Sequence, residues 1–353
     1  MRVETFDYEL RPDTIAQRPL AERDSAKLML LPATGKLGHA VIRDLPGILP
    51  RGALVVLNDT RVIPARLVGH KTGSGGKAEI FLLQRLDSGE EPFRQRWRAM
   101  GRTSKGLSVG STIECEGVLV RVVERSPGEG LVEVELESEA PLAEALARAG
   151  HIPLPPYIRR PDDNVDRERY QTVFARVDGA VAAPTAGLHL TVDLLEKVRA
   201  AGCTIATVTL HVGLGTFQPV VAADLDQHPM HAESFEVSAD AAEAVADARR
   251  RSASVVAVGT TVVRALESAA DPDHPGLVTP TLGTTRLLIQ PGSPFRVVDR
   301  LLTNFHVPRS TLLALVCAFG GTERILDAYR TAQATGYRFL SYGDAMWLER
   351  AVS

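Results

Sequence analysis

Seven short polar loops interrupt apolar segments of this chain, and each carries a side chain able to do acid–base or anion chemistry. They are "NDTR" (58–61), "AAPTAGLHL" (182–190), "LHVGLGTFQPV" (210–220), "MHAESF" (230–235), "VGTTVVRALES" (258–268), "TNFHVPRST" (303–311) and "SYGDAM" (341–346). Glycine and proline set backbone geometries there that leave polar side chains available. Taken singly, each loop reads equally well as turn chemistry or a helix cap. Seven together argue for one composite site.

The chemistry on offer can be sorted by type. His189, His211, His231 and His306 are imidazoles, suited to proton transfer near neutral pH. Asp59, Glu233 and Asp344 are carboxylates; Arg61, Arg264 and Arg309 are fixed cations. Gly259-Thr260-Thr261 leads into a helix whose free N–H groups suit a carboxylate or phosphate, with a threonine N-cap as the plainer role. Arg264 and Glu267 sit three apart and also read as a surface pair. Pro308 disfavours helix at Val307, so Ser310 or Thr311 caps a helix starting at Leu312. Asn304, His306 and Arg309 then lie on a loop facing that helix's N-terminus, where an anion is welcome.

Several familiar motifs are excluded. "GLGTFQ" has Gln218 where G-x-G-x-x-G needs its third glycine, and no helix evidently follows. There is no G-x-x-x-x-G-K-[ST] and no H-E-x-x-H. His231-Ala-Glu233 matches H-x-E, but no P-C-x-x-C accompanies it. The four histidines lack tight ligand spacing, so no metal is expected.

Elements must position these loops. With 353 residues the chain suggests about two domains. Its 44% apolar and 24% charged content is that of a globular protein. The net charge of −3 provides no global attraction for nucleic acid. Three scattered cysteines make neither a disulfide framework nor a zinc pattern. No signal peptide or membrane-length apolar run is visible, so a soluble cytoplasmic monomer is expected. "ALVVL" (53–57), "CTIATVTLHVG" and "ASVVAVGTT" read as buried strands, while "VDLLEKVRAAG", "DAAEAVADARRR" and "TVVRALESAA" read as helices. The alternation predicts an α/β core with a mixed sheet over residues 1–67 and 151–353. Residues 68–150 instead show short alternating runs separated by "KTGSGG", "DSGEE" and "SPGEG", which predicts an inserted small antiparallel β-barrel. Within it, "RQRWRAMGRTSK" carries Arg94, Arg96, Arg98, Arg102 and Lys105 without an acid. Alternation puts the first three arginines on one face and Trp97 on the other, a pattern that fits RNA or a solvated strand face over a core tryptophan.

The loops also carry a resemblance. "FDYELRPDTIAQRP", "LVVLNDTRVIPARL", "AAPTAGLHLT", "TLHVGLGTFQPV", "MHAESFEV", "AVGTTVVRALES", "LLTNFHVPRSTLLALVCAFGG" and "YRFLSYGDAMWL" span nearly the whole chain in order. Together they resemble the S-adenosylmethionine:tRNA ribosyltransferase-isomerase family of queuosine biosynthesis. The mild departures are Lys27 for arginine, Leu190 and Leu340 for aromatics, and Gln218 for a frequent arginine. The resemblance implies an α/β core with an inserted barrel. It implies transfer and isomerisation of the ribosyl part of S-adenosylmethionine onto 7-aminomethyl-7-deazaguanine at the tRNA wobble position. Epoxyqueuosine-tRNA forms, and adenine and methionine leave. S-adenosylmethionine is then a co-substrate, with no prosthetic group.

Because the sulfonium acidifies the C5′ protons, a base is required. On that footing the catalytic candidates are His189, His211, His231, His306, Asp59 and Asp344. The candidates for holding S-adenosylmethionine are Arg61, Thr185, Gly213, Gly215, Thr216, Gly259, Thr260, Thr261, Arg264, Asn304, Arg309 and Ser310. Arg94, Arg96, Arg98, Arg102 and Lys105 are the candidates for tRNA. A methyltransferase would show the glycine-rich cofactor loop that is absent here, and a passive RNA-binding module would have no use for so many polar strand ends.

Overall fold

The computed structural model describes residues 1–87, 91–103, 106–125, 131–213, 220 and 222–351. The chain opens with β1 (Lys27–Leu31) and β2 (Gly38–Val41), then a short α1 (Leu45–Ile48) and β3 (Leu54–Asn58). β4 (Thr60–Val62) follows directly. Next come β5 (Arg66–Lys71), β6 (Lys77–Arg85), β7 (Arg94–Thr103), β8 (Thr112–Cys115), β9 (Val118–Arg125) and β10 (Leu131–Ser138). α2 (Leu142–Ala149), β11 (Gly150–His151), α3 (Asn164–Arg169) and β12 (Val177–Ala180) return the chain to the core. There α4 (Val192–Ala200), β13 (Thr204–Leu210), β14 (Glu233–Val237), α5 (Ala239–Arg250), β15 (Val255–Val258) and α6 (Thr260–Ser268) follow. The last elements are β16 (Thr281–Thr285), β17 (Arg300–Asn304), α7 (Thr311–Gly320), α8 (Thr322–Ala334) and β18 (Ala345–Glu349).

Nine strands form one mixed sheet in the order β16-β14-β13-β3-β15-β17-β18-β1-β2. Its centre, β13-β3-β15-β17, is parallel. Both faces are buried, which is why these strands are nearly continuous β-branched and leucine runs. On one face Leu54, Val56, Val255, Ala257 and Leu301 pack under α5, α6, α7 and α8. On the other, Ala53, Val55, Leu57, Val256 and Leu302 pack under α1 and α4. The period-2 alternation therefore divides one apolar strand between two cores.

The strands from Arg66 to Ser138 form a separate antiparallel sheet. β5, β6, β7, β10, β9 and β8 run in that order, and β5 pairs with β8 to close the barrel. Trp97, Ile80, Leu82, Val120, Val134 and Leu136 fill it, and α2 packs Leu142, Ala145 and Leu146 onto the same core. Among the described residues no helix is long and apolar enough to cross a membrane.

Closure leaves no room at Gly69, where a Cβ would stand 2.1 Å from the carbonyl oxygen of Glu114 on β8. Gly69→Ala must push the two strands apart and is expected to destabilise the chain by about 2 kcal/mol, as overpacking does. Urea denaturation and faster hydrogen exchange of the β8 amides check this; unchanged exchange at β8 would show that the seam does not depend on Gly69.

Candidate functional site

A cleft of about 700 Å³, open to solvent, sits at the carboxyl ends of the parallel strands, the position at which open α/β sheets bind ligands. It is lined by Ala182–Ala186 before α4, Val212 after β13, Gly259–Thr261 after β15 and Thr303–Val307 at the end of β17. Leu312, Leu340, Ser341 and Tyr157 complete it. Six of the sequence-derived candidates therefore meet in one place: Thr185, Gly259, Thr260, Thr261, Asn304 and His306.

His306 is the best-supported imidazole. Its backbone N–H donates to the Tyr329 hydroxyl at 3.0 Å, and its carbonyl accepts from Tyr8 Oη at 2.6 Å. Its Nε2 lies 2.8 Å from Thr303 Oγ1. Among the described residues no partner engages Nδ1. Burial alone pushes the imidazole down to about 4, so the ring is neutral at physiological pH. The two tyrosines belong to a packed aromatic group: Tyr8 and Phe305 each meet Tyr329 edge-on at 5.1 Å, and Phe305 stacks on Phe339 at 4.6 Å.

Asn304 is 2% exposed, and its Nδ2 donates toward His189 Nε2 (3.2 Å), the Leu340 carbonyl (3.3 Å) and the Asp344 carbonyl (3.4 Å). Those acceptors fix the orientation of the amide, since a flipped oxygen would face two carbonyls. Oδ1 is then left buried without a partner. An unpartnered buried acceptor is costly, of order 1–3 kcal/mol, unless a ligand supplies a donor. Gly259 has φ 98°, a conformation that favours glycine, and it starts α6 without a side-chain cap. Thr260 and Thr261, the first residues of α6, line the cleft, and the next two N–H groups, of Val262 and Val263, donate to the Gly259 carbonyl.

His189 lies outside this cleft. It lines a smaller cavity with Arg23, Arg169, Leu188 and Tyr342 that shares Ser341 with the cleft. Burial, with Arg23 and Arg338 adding to it, pushes His189 down to about 4. Its accepting Nε2 makes it a positioning residue for Asn304. Asp344 is structural in the same sense. Its Oδ1 accepts from the Lys27 N–H at 2.9 Å and its Oδ2 from the Arg338 N–H at 2.7 Å. This clamp holds the turn that carries Leu340, at φ 69°, and Ser341 to the cleft. Burial raises the Asp344 carboxyl despite those bonds.

The remaining candidates divide into other groups. Asp59 accepts from Thr209 Oγ1 at 2.6 Å and from Arg176 Nη2 at 2.8 Å. His211 Nδ1 lies 2.7 Å from Thr60 Oγ1, and burial lowers that imidazole. Arg61 is exposed and donates to the Ala175 carbonyl. Asn58 links this group to the cleft by donating to Leu210 O at 2.9 Å and Thr261 Oγ1 at 3.2 Å. Arg264 is buried against Glu233, whose Oε1 accepts from the Gly213 N–H; burial lowers the guanidinium to about 10. This pair fixes backbone after β13, and among the described residues no arginine or lysine lines the cleft. Arg309 turns away to Asp7 at 2.5 Å, Ser310 caps α7, and His231 is exposed. Gly215, Thr216 and Lys105 lie outside the described residues. Among the described residues no group of three or more His, Cys, Asp or Glu is placed to hold a metal.

The barrel arginines face carboxylates that only strand register reveals. Glu137, Glu135 and Glu133 of β10 stand opposite Arg94, Arg96 and Arg98. Arg94 pairs with Glu137 and Glu135, and Arg96 with Glu133 and Glu124. Arg98 reaches Gln84. Two of the five residues of the expected basic stripe, Arg94 and Arg96, are therefore already neutralised.

The model of the family described as queuosine biosynthesis protein matches residues 3–348. The chain belongs to this family. It is 58% identical over 366 residues to a protein of Sorangium cellulosum (strain So ce56) named S-adenosylmethionine:tRNA ribosyltransferase-isomerase, covering 98% of both chains. A protein of the same name from Anaeromyxobacter sp. (strain Fw109-5) is 54% identical, over 99% of this chain and all of that one. The crystal structure of an S-adenosylmethionine tRNA ribosyltransferase from Thermotoga maritima is 32% identical, with a TM-score of 0.55 over 97% of this chain and 99% of that chain. The family membership agrees with the α/β core and closed barrel.

Sequence reading missed Tyr8, Tyr157 and Tyr329, and within two of its own loops it did not single out Thr303 or Ser341. Tyr8 and Tyr157 sit in irregular segments with no periodic signal, and Tyr329 reads as ordinary helix core.

The two buried histidines make stability depend on pH. Unfolded, each binds a proton below about 6.5, whereas folded each resists until about 4, so stability falls as pH drops through that window. Fully developed near pH 4, the loss is about 3 kcal/mol per histidine. Urea midpoints measured from pH 7 to pH 5, above the range of ordinary carboxylates, should decline, and His189→Gln with His306→Gln should flatten the decline. A flat wild-type profile would refute neutral burial.

Proposed function

We propose that this chain transfers and isomerises the ribosyl part of S-adenosylmethionine onto 7-aminomethyl-7-deazaguanine at the tRNA wobble position, releasing adenine and methionine. Support comes from the family membership and from one local observation: the cleft joins the neutral His306 imidazole, whose Nδ1 has no partner among the described residues, to a buried acceptor, Asn304 Oδ1, likewise without one.

In this reading His306 Nδ1 takes the C5′ proton beside the sulfonium. Burial makes charging His306 unfavourable in the empty cleft. With substrate in place, proton transfer turns the sulfonium into a net-neutral ylide as the imidazole becomes imidazolium, so the net charge of the site does not change. Thr303 orients the ring, and Tyr8 and Tyr329 fix its backbone. Asn304 Oδ1 accepts a donor of the nucleoside, and the threonines at the start of α6 bind ribose or carboxylate oxygens. Thr185 lines the same wall. The wobble base, from a single-stranded loop, can enter the cleft mouth by splaying out. Arg98 and Arg102 remain the barrel's tRNA contacts; Arg94 and Arg96 are already paired. The chain acts as a monomer in the cytoplasm, where its RNA substrate is.

Incubation with S-adenosylmethionine and tRNA bearing the 7-aminomethyl base should release adenine and methionine in step with base conversion. S-adenosylhomocysteine in place of adenine would mean methyl transfer and end the proposal. His306→Ala should lower kcat about 10²–10⁴-fold, the usual contribution of a general base, with the urea midpoint retained; a near-normal kcat would remove His306 from the chemistry.

A further inference from the structure

Beside the cleft lies a second, smaller pocket, open to solvent, whose charge is unusual. Arg23 and Arg169 line it, together with His189, Ser341 and Tyr342. Arg23 donates only to main-chain carbonyls, Leu188 at 3.0 Å and Glu168 at 2.9 Å. Arg169 does the same, to Ala21 at 2.9 Å and Leu20 at 2.8 Å. Among the described residues neither guanidinium has a carboxylate within ion-pair distance. Each has five N–H donors, and the bonds found use two. Arg169 Nε is buried without an acceptor.

A neighbouring guanidinium adds to this charge. Arg338 is likewise outside any ion pair among the described residues, and its Nη1 is buried without a partner. The charges are felt locally. Burial and then Arg169 lower the Arg23 guanidinium, while Glu168 and Tyr342 oppose this weakly. Arg23 and Arg338 lower His189. Asp344 offsets part of the Arg338 charge, but its oxygens accept from the backbone N–H groups of Lys27 and Arg338 and not from a guanidinium. His189 is neutral, and Tyr342 already donates to Asp166 at 2.7 Å.

Half-buried guanidiniums normally find carboxylates. Here carbonyl anchors hold them in place with donors to spare, next to a cavity that shares the lining residue Ser341 with the cleft. We propose that this cavity is an oxyanion site, in which Arg23 and Arg169 bind a carboxylate or phosphate of a substrate held in the adjoining cleft. The proposal deepens the functional reading above and rests on it for the identity of the substrates. Both carry the required group: S-adenosylmethionine has one carboxylate, and every RNA residue has a phosphate. Arginine is the residue for planar two-point recognition of either.

Equilibrium binding tests this without turnover. The probes are a synthetic anticodon stem-loop RNA, followed by anisotropy over a salt series, and labelled S-adenosylmethionine, followed by dialysis. If the site holds an RNA phosphate, Arg23→Gln with Arg169→Gln should weaken RNA binding at least tenfold and reduce the salt slope by about one per phosphate lost. S-adenosylmethionine binding should then hold. If it holds the methionine carboxylate, the second affinity falls at least tenfold and the RNA slope stays. Neither change, in variants with the wild-type urea midpoint, overturns the proposal. Should that pair of substitutions fail to fold, the unaltered chain decides: replacing chloride by sulfate at fixed ionic strength should weaken binding of one probe, and no change overturns it. A chain that binds through these arginines yet releases no adenine would refute the catalytic reading and leave the oxyanion site standing.

Discussion

The end of β17 is buried and polar at once, and that conflict organises the molecule. Asn304 and His306 project from a strand whose preceding residues are core. A buried amide and a buried imidazole are tolerable only if their polar atoms are satisfied. The fold satisfies all but one on each, using the N-terminal segment (Tyr8), α8 (Tyr329), the turn before β18 (Leu340, Asp344) and the loop before α4 (His189). The two atoms left over, His306 Nδ1 and Asn304 Oδ1, belong to residues that line one cleft.

Electrostatics follows from the same burial. Both deeply buried histidines are held neutral, and only His306 has a cleft-lining position. A buried ion pair near the sheet, Arg264 with Glu233, fixes backbone at Gly213. Among the described residues, arginines outside any ion pair gather elsewhere, around His189, with Asp344 offsetting part of the charge of Arg338. A site that handles a sulfonium beside a polyanion gains from separating an uncharged cleft from a cationic annex, because a fixed cation within the cleft would repel the sulfonium.

Much of the fold was legible in the sequence. Continuous β-branched runs announced a doubly covered sheet, and short alternating runs with glycine-rich turns announced the barrel. "PRST" before an apolar run located the start of α7, capped by Ser310. Other parts were not legible. The arginines of β7 looked uncompensated because their partners come from β10, some forty residues later, and pairing register is a tertiary property. Arg309 looked ready for an anion, but it is drawn to Asp7 from the other end of the chain.

The sequence by itself determined which residue types were available and which elements carried them, because periodicity, caps and turn chemistry are local. The tertiary structure alone decided which of the seven loops share a cavity. His189, His211, His231 and His306 are equivalent as residue types. Burial, a threonine at 2.8 Å and two tyrosines from opposite ends of the chain separate His306 from the rest. Proton affinity and free valence depend on surroundings brought together by folding, and no local pattern encodes them.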